Sequence, residues 1–317
     1  MILISLIMAV APAVLVLLYY YNQDKAKPEP KGLITKVFFL GFASIIPAII
    51  IELILDAVAE AILFLPIIYF FIKSFIVAGF VEESLKLFVV KQFAYKDAHF
   101  DEVMDGIVYA VVASMGFACF ENVLYVTGGG WTLALLRAFT AVPLHAVASG
   151  IMGYYIGKAK FAQTKSDETS LIFKGLLIAV LIHGAYDFFL FSMPVLGDAV
   201  GLLVIPIIVG SFFFLKKKIK LAIAEDVSEG RTTEEYTLSR LMPLPGTVQN
   251  FSKMSRTELY RHLEMERMHR QIHGMTQPKS QPQTFKEELE KQIENESIIP
   301  RESQKSKQVG LDMEGEK

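Results

Sequence analysis

Cysteine is all but absent: Cys119 stands alone in 317 residues, which excludes a disulfide and a cysteine-built metal cluster. Its place inside an apolar run makes packing its expected role. Residues 2–21 lack the basic n-region of a secretory signal, and lysines follow at Lys25, Lys27 and Lys31, so the stretch reads as a retained membrane span. No HExxH occurs, which removes the usual zincin arrangement of both histidines on one helix. No internal repeat relates the two halves, and the last third has few large apolar runs. Net charge is only -2, but it averages an apolar first two-thirds with a polar tail that belongs to a different solvent. Nothing in this pattern calls for a nucleic-acid partner.

What is there is apolar surface. Hydrophobic residues make up 53% of the chain and aromatics 12%, with a mean hydropathy of +0.42, all above an ordinary soluble domain. The predicted fold is therefore all-α, a polytopic transmembrane bundle of about seven spans. These are placed at 2–21, 32–55, 61–94, 103–127, 131–157, 171–191 and 195–215. The third is too long for one untilted span, and a break near Pro66 is one way to divide it. Lysines mark every predicted inner loop and none of the outer ones, which places the amino terminus outside the cell membrane and the carboxyl tail in the cytoplasm. Two domains follow: a transmembrane unit, 1–220, and a cytoplasmic tail, 221–317, mostly disordered. Two capping-box spacings, at Ser255/Glu258 and Thr284/Glu287, predict short helices within that tail.

Charged residues inside such runs are the informative ones, since one at mid-depth costs at least about 2.5 kcal/mol on insertion scales. Glu82 and Glu83 are adjacent in the third span. Lys86, one turn on, can pair with one of them and leaves the other needing a proton, a partner on another helix or a cation. The fourth span carries Glu121 on one face with Phe117 and Tyr125. The fifth carries His145 with Ser149 one turn on, and the sixth carries His183 with Asp187 one turn on. Each cluster alone would need its own partner, whereas together they can satisfy one another.

Two histidines and several glutamates can hydrolyse an amide by two routes. In one, His145, His183 and a glutamate such as Glu83 bind Zn²⁺ or another divalent metal, and a second glutamate is the general base. In the other, a glutamate and a histidine activate water directly, and the second histidine, with a polar neighbour such as Asn122, stabilises the oxyanion. The residues alone leave both open. The rival reading is non-catalytic: a proton-coupled carrier or a membrane scaffold using the same buried Glu/His cluster. The missing repeat counts against the carrier.

The ordered set Glu82-Glu83-Ser84-Leu85-Lys86, His99-Phe100-Asp101-Glu102 with Asp105-Gly106, Phe117 with Phe120-Glu121-Asn122, His145 with Gly150 to Gly157, and His183-Gly184-Ala185-Tyr186-Asp187 resembles the PrsW family of bacterial intramembrane proteases. That family is distantly similar to the CAAX-processing membrane proteases. The resemblance covers roughly residues 1–220 and implies site-1 cleavage of a membrane-anchored anti-sigma factor, a single-span substrate, in a stress response. It also implies that Glu82, Glu83 and His183 occupy presumed catalytic positions, with Glu121 and His145 at other motif positions. The long tail departs from the family pattern.

Overall fold

The computed structural model describes residues 2–24 and 27–232. The predicted tail helices lie outside the described residues. Among those residues every regular element is helical. The apolar run at the amino terminus forms α1 (Ile2–Tyr21). After the Pro28/Pro30 connector come α2 (Lys31–Ala43) and α3 (Ile45–Ile62), divided at Ser44, whose hydroxyl bonds back to the Gly41 carbonyl at 2.7 Å. Residues 63–65 break the chain, and Pro66, whose missing N–H costs nothing at a helix start, opens α4 (Pro66–Ile72). A π-helical segment, Lys73–Phe80, then leads into α5 (Val81–Phe93).

The hairpin of α6 (Val103–Phe139) and α7 (Ala141–Lys160) is the centre of the bundle. The chain reverses inside α6 at Gly130, where φ is 70°, a left-handed conformation that glycine adopts without a Cβ penalty. Close packing of the two arms depends on small residues: a Cβ at Gly106 would strike the backbone of Gly153 and Gly157, and one at Gly153 would strike the Gly106 carbonyl. Outside this hairpin lie α8 (Lys165–Phe191), the short α9 (Met193–Leu196), a 3₁₀ turn (Asp198–Leu203) and α10 (Val204–Ser228). In the Val103–Val126 arm 94% of the most apolar window is buried, against 17–33% in the stretches 31–62, 165–191 and 198–228. The first therefore forms the core, and the others turn apolar side chains such as Leu53, Phe173 and Phe213 outward to lipid.

By length and composition, five stretches can cross a membrane: Lys31–Ile62, Val103–Val126, Thr132–Lys160, Lys165–Phe191 and Asp198–Ser228. The other two of the expected seven are present as helices but differ in kind. The described apolar part of α1, Ala9–Tyr21, is short, and the stretch 66–93 is divided among α4, the π segment and α5 and carries Glu82, Glu83 and Lys86. The last span also runs further than Lys216-Lys217-Lys218 implies. It continues as α10 to Ser228, with Ala222, Ile223 and Asp226 buried. Asp226 accepts hydrogen bonds from the Val103 and Met104 amides at 2.7 and 3.0 Å, satisfying free donors at the start of α6.

Candidate active site

Glu82 and Glu83 occupy the first turn of α5, directly after the π segment. A π segment widens the helix and shifts the phase of everything after it, and such segments are frequent at functional sites. Here it turns both carboxylates and Lys86 into the bundle, where Glu83 and Lys86 are fully buried and Glu82 is 7% exposed. Lys86 Nζ lies 3.1 Å from Glu82 Oε2 and 2.8 Å from Glu83 Oε1, so it pairs with both rather than one. It also lies 2.9 Å from His145 Nδ1.

The remaining groups come from three other helices. From α6, Glu121 Oε2 meets His145 Nε2 at 2.8 Å. From α8, His183 Nδ1 meets Glu83 Oε1 at 3.0 Å, while its Nε2 faces Glu82 Oε2 at 3.8 Å and Asp187 Oδ2 at 3.4 Å. From α7, the Ser149 hydroxyl donates to Glu83 Oε2 at 2.8 Å. The two imidazoles stand edge to face, centroids 5.0 Å apart. Gly184 lets this happen, because a side chain there would collide with Phe75 on the π segment and push His183 away from Glu83. All five candidate residues, Glu82, Glu83, Glu121, His145 and His183, thus meet in one place.

The network assigns the His145 tautomer. Lys86 can only donate, so His145 Nδ1 is its acceptor and Nε2 carries the proton given to Glu121. His183 Nδ1 meets Glu83, and its Nε2 faces Glu82 and Asp187. Each imidazole is therefore held by a carboxylate on one nitrogen and turns the other toward Glu82, although His145 Nδ1 is also met by Lys86; a carboxylate behind the ring is the pattern that fixes metal-binding histidines. Glu82, His145 and His183 are the three that each offer a ligand atom within 4.8 Å of the others. The set expected from sequence was His145, His183 and Glu83. By spacing, Glu82 rather than Glu83 groups with the two histidines, and the oxygens of Glu83 are engaged by Lys86, His183 and Ser149.

A cavity of about 650 Å³ opens onto this cluster, lined by Glu82, Glu121, His145 and His183 together with Asp187 and Arg137. Arg137 was not singled out from sequence. It is a lone cation in the apolar stretch 131–139, the same signal that marked Glu82, and its Nη2 lies 2.8 Å from Glu121 Oε2. Glu52 of α3 also lines the cavity. Asn122 does not: its amide donates to the Ala9 carbonyl and accepts from Arg137 Nε at 2.7 Å, so it braces Arg137 rather than a reacting carbonyl. Counted formally, Glu82, Glu83, Glu121 and Asp187 set four carboxylates against Lys86 and Arg137. That excess of acid beside two imidazoles suits a bound divalent cation.

Residues 29–214 match the family described as PrsW family intramembrane metalloprotease. The chain is 38% identical over 186 residues to Protease PrsW of Bacillus subtilis (strain 168), covering 58% of this chain and 81% of that protein. It is 39% identical over 199 residues to Protease PrsW of Geobacillus kaustophilus (62% and 85%) and 34% identical over 190 residues to that of Clostridioides difficile (58% and 78%). No solved structure matches. With more than half of its length matched, and with helices long and apolar enough to cross the bilayer several times, the chain belongs to the PrsW family of intramembrane metalloproteases and is a multi-pass membrane peptidase.

Proposed function

We propose that this peptidase makes the first cut in a single-span anti-sigma factor, and that Glu82, His145 and His183 hold its divalent ion. The observation that carries the site assignment is the pair of imidazoles, each fixed through one nitrogen by Glu121 or Glu83, with the other nitrogen turned toward Glu82. When bound, the ion supplies a polarised water and a Lewis acid for the scissile carbonyl. To hold an ion through Nδ1, His145 would give up its hydrogen bond from Lys86, which would keep Glu83 as its partner.

The protein's own groups divide the rest of the work. Asp187 borders the cavity beside His183 and is placed to take a proton from water and return it to the leaving amine. Arg137 borders the same cavity, and its guanidinium, paired with Glu121, brings positive charge to the side on which an oxyanion would develop. Glu83 and Glu121 keep the two rings in their tautomers. The low-dielectric surroundings strengthen each of these interactions.

Orientation and depth set where the cut falls. With the lysine-bearing loops in the cytoplasm, the amino terminus is outside and the tail inside. Glu121 then lies about 18 residues, roughly 27 Å, from the cytoplasmic start of α6 at Val103, in the outer half of a bilayer about 30 Å thick. A helical substrate hides its amides in hydrogen bonds and must unwind before attack, which is easiest at its membrane-exposed end. The expected cut is at or just outside the outer face of a single-span protein with a cytoplasmic amino-terminal domain. Purified enzyme, an anti-sigma factor substrate and mass spectrometry of the fragments test this, with and without chelator. Cuts on the cytoplasmic side contradict the orientation, and full activity in chelator contradicts the ion.

A further inference from the structure

A second group of buried acids lies where the end of α1 and the following connector meet the start of α6, and peptide hydrolysis has no use for it. Asp24, Glu29, Glu102 and Asp105 are each no more than 4% exposed. Asp24, Glu102 and Asp105 each offer a carboxylate oxygen within 4.8 Å of the others. The Glu29 carboxyl is within hydrogen-bond reach of Asp105 and accepts the buried Tyr109 hydroxyl.

Part of this group is accounted for by the backbone. Asp105 Oδ2 accepts the Asp101 and Glu102 amides at 2.8 and 2.7 Å, a normal way to start a helix. Two oxygens are left over. Glu102 Oε1 and Asp105 Oδ1 are sealed from solvent and have no hydrogen-bond partner. The charges acting most strongly on Glu102 are those of Asp24, Asp105 and Asp226. Two described cations lie nearby, and each has a carboxylate of its own: Lys27, about half exposed, pairs at 2.6 Å with Asp101 on the rim, and Arg231 pairs at 2.9 Å with Asp226. A buried carboxylate oxygen facing like charge is costly unless a proton or a cation meets it.

We propose that Asp24, Glu102 and Asp105, with Glu29 alongside, form a second metal site that takes a hard divalent cation, Ca²⁺ or Mg²⁺. The donors are all oxygen, without the imidazole or thiolate that zinc favours, and carboxylates suit these two ions. Oxygens on opposite sides of a Ca²⁺ ion, each about 2.3–2.6 Å from it, stand about 4.6–5.2 Å apart, so the spacing here needs little adjustment. The ion joins the connector to the first turn of α6 at the end of that helix remote from Glu121. It is a structural clamp on the central hairpin, independent of the candidate peptidase centre.

The test uses full-length protein in detergent, stripped with chelator and titrated with Ca²⁺ or Mg²⁺ by calorimetry, with thermal unfolding followed in parallel. Wild type and His183→Ala, which lacks the candidate active-site histidine, are both expected to bind with a Kd below about 1 mM and to unfold at higher temperature with the ion. Glu102→Gln keeps the size of the side chain and removes its charge, and should weaken binding at least about tenfold. Glu29→Gln, which leaves the helix start untouched, provides the second variant if Glu102→Gln does not fold. No binding by wild type, unchanged affinity in both glutamine variants, or loss of binding in His183→Ala would overturn the proposal.

Discussion

Neighbouring Glu82 and Glu83 should fail in different ways when each is made glutamine. Glu83 holds three hydrogen-bond partners at full burial: Lys86 at 2.8 Å, His183 Nδ1 at 3.0 Å and the Ser149 hydroxyl at 2.8 Å. Glutamine can keep the shape of that network, with its oxygen toward Lys86 and His183 and its amide toward Ser149, but it loses the charge. Breaking a buried ion pair costs about 3–5 kcal/mol when a charge is stranded. Lys86 keeps Glu82 at 3.1 Å, so the cost should fall at the low end and the protein should stay folded. His183 loses its anionic support, and partners of this kind are worth about 10–100-fold in metal affinity or activity. Glu83→Gln should therefore show kcat/KM reduced by about that factor, largely restored by excess ion. Glu82→Gln removes a proposed ligand, so excess ion should restore little. Purified variants assayed on a fluorogenic single-span substrate across a Zn²⁺ titration separate the two. Full activity of Glu83→Gln without added ion, or equal rescue of both variants, would refute the assigned roles.

Arg137→Gln should lower kcat by about 10²–10³-fold at unchanged metal content, the usual loss of one oxyanion donor, and an unaltered kcat would remove Arg137 from the chemistry. Gly153→Val forces a side chain into the Gly106 carbonyl and Ala110, and overpacking of about 1–3 kcal/mol should lower the unfolding temperature; an unchanged melting curve would show that the close approach of α6 and α7 is unimportant. Asp226→Ala leaves the Val103 and Met104 amides without their acceptor and should destabilise by about 1–2 kcal/mol in denaturant titrations. Truncation after residue 232 should retain cleavage and stability, whereas truncation after residue 220 removes Asp226 and should lose stability; equal behaviour of the two would mean that the end of α10 contributes nothing.

The membrane character of the chain and the residues that converge in its buried cluster were legible in sequence because lipid makes both conspicuous. Apolar runs long enough to span stand out, and an acid or histidine inside one is expensive enough to imply a partner. Glu82, Glu83, Glu121, His145 and His183 were all found on that ground, and Arg137 carries the same signal. How two adjacent glutamates divide their contacts with the histidines was not legible. One residue along a helix rotates a side chain by about 100°, and the π segment before α5 resets the phase on which such an estimate depends. The division of the third apolar run likewise followed from Pro66 only in outline, since a proline marks a break without fixing how the halves pack. Asp226 shows the same limit at long range. In sequence it is one acid past a lysine run, and only the packing of α10 brings it to amides 123 and 122 residues away. Composition and spacing determined what this chain is made to sit in and which groups it must shelter there. Rotation, depth and distant contacts decided which group serves which, because those depend on how whole helices pack and not on any local run of residues.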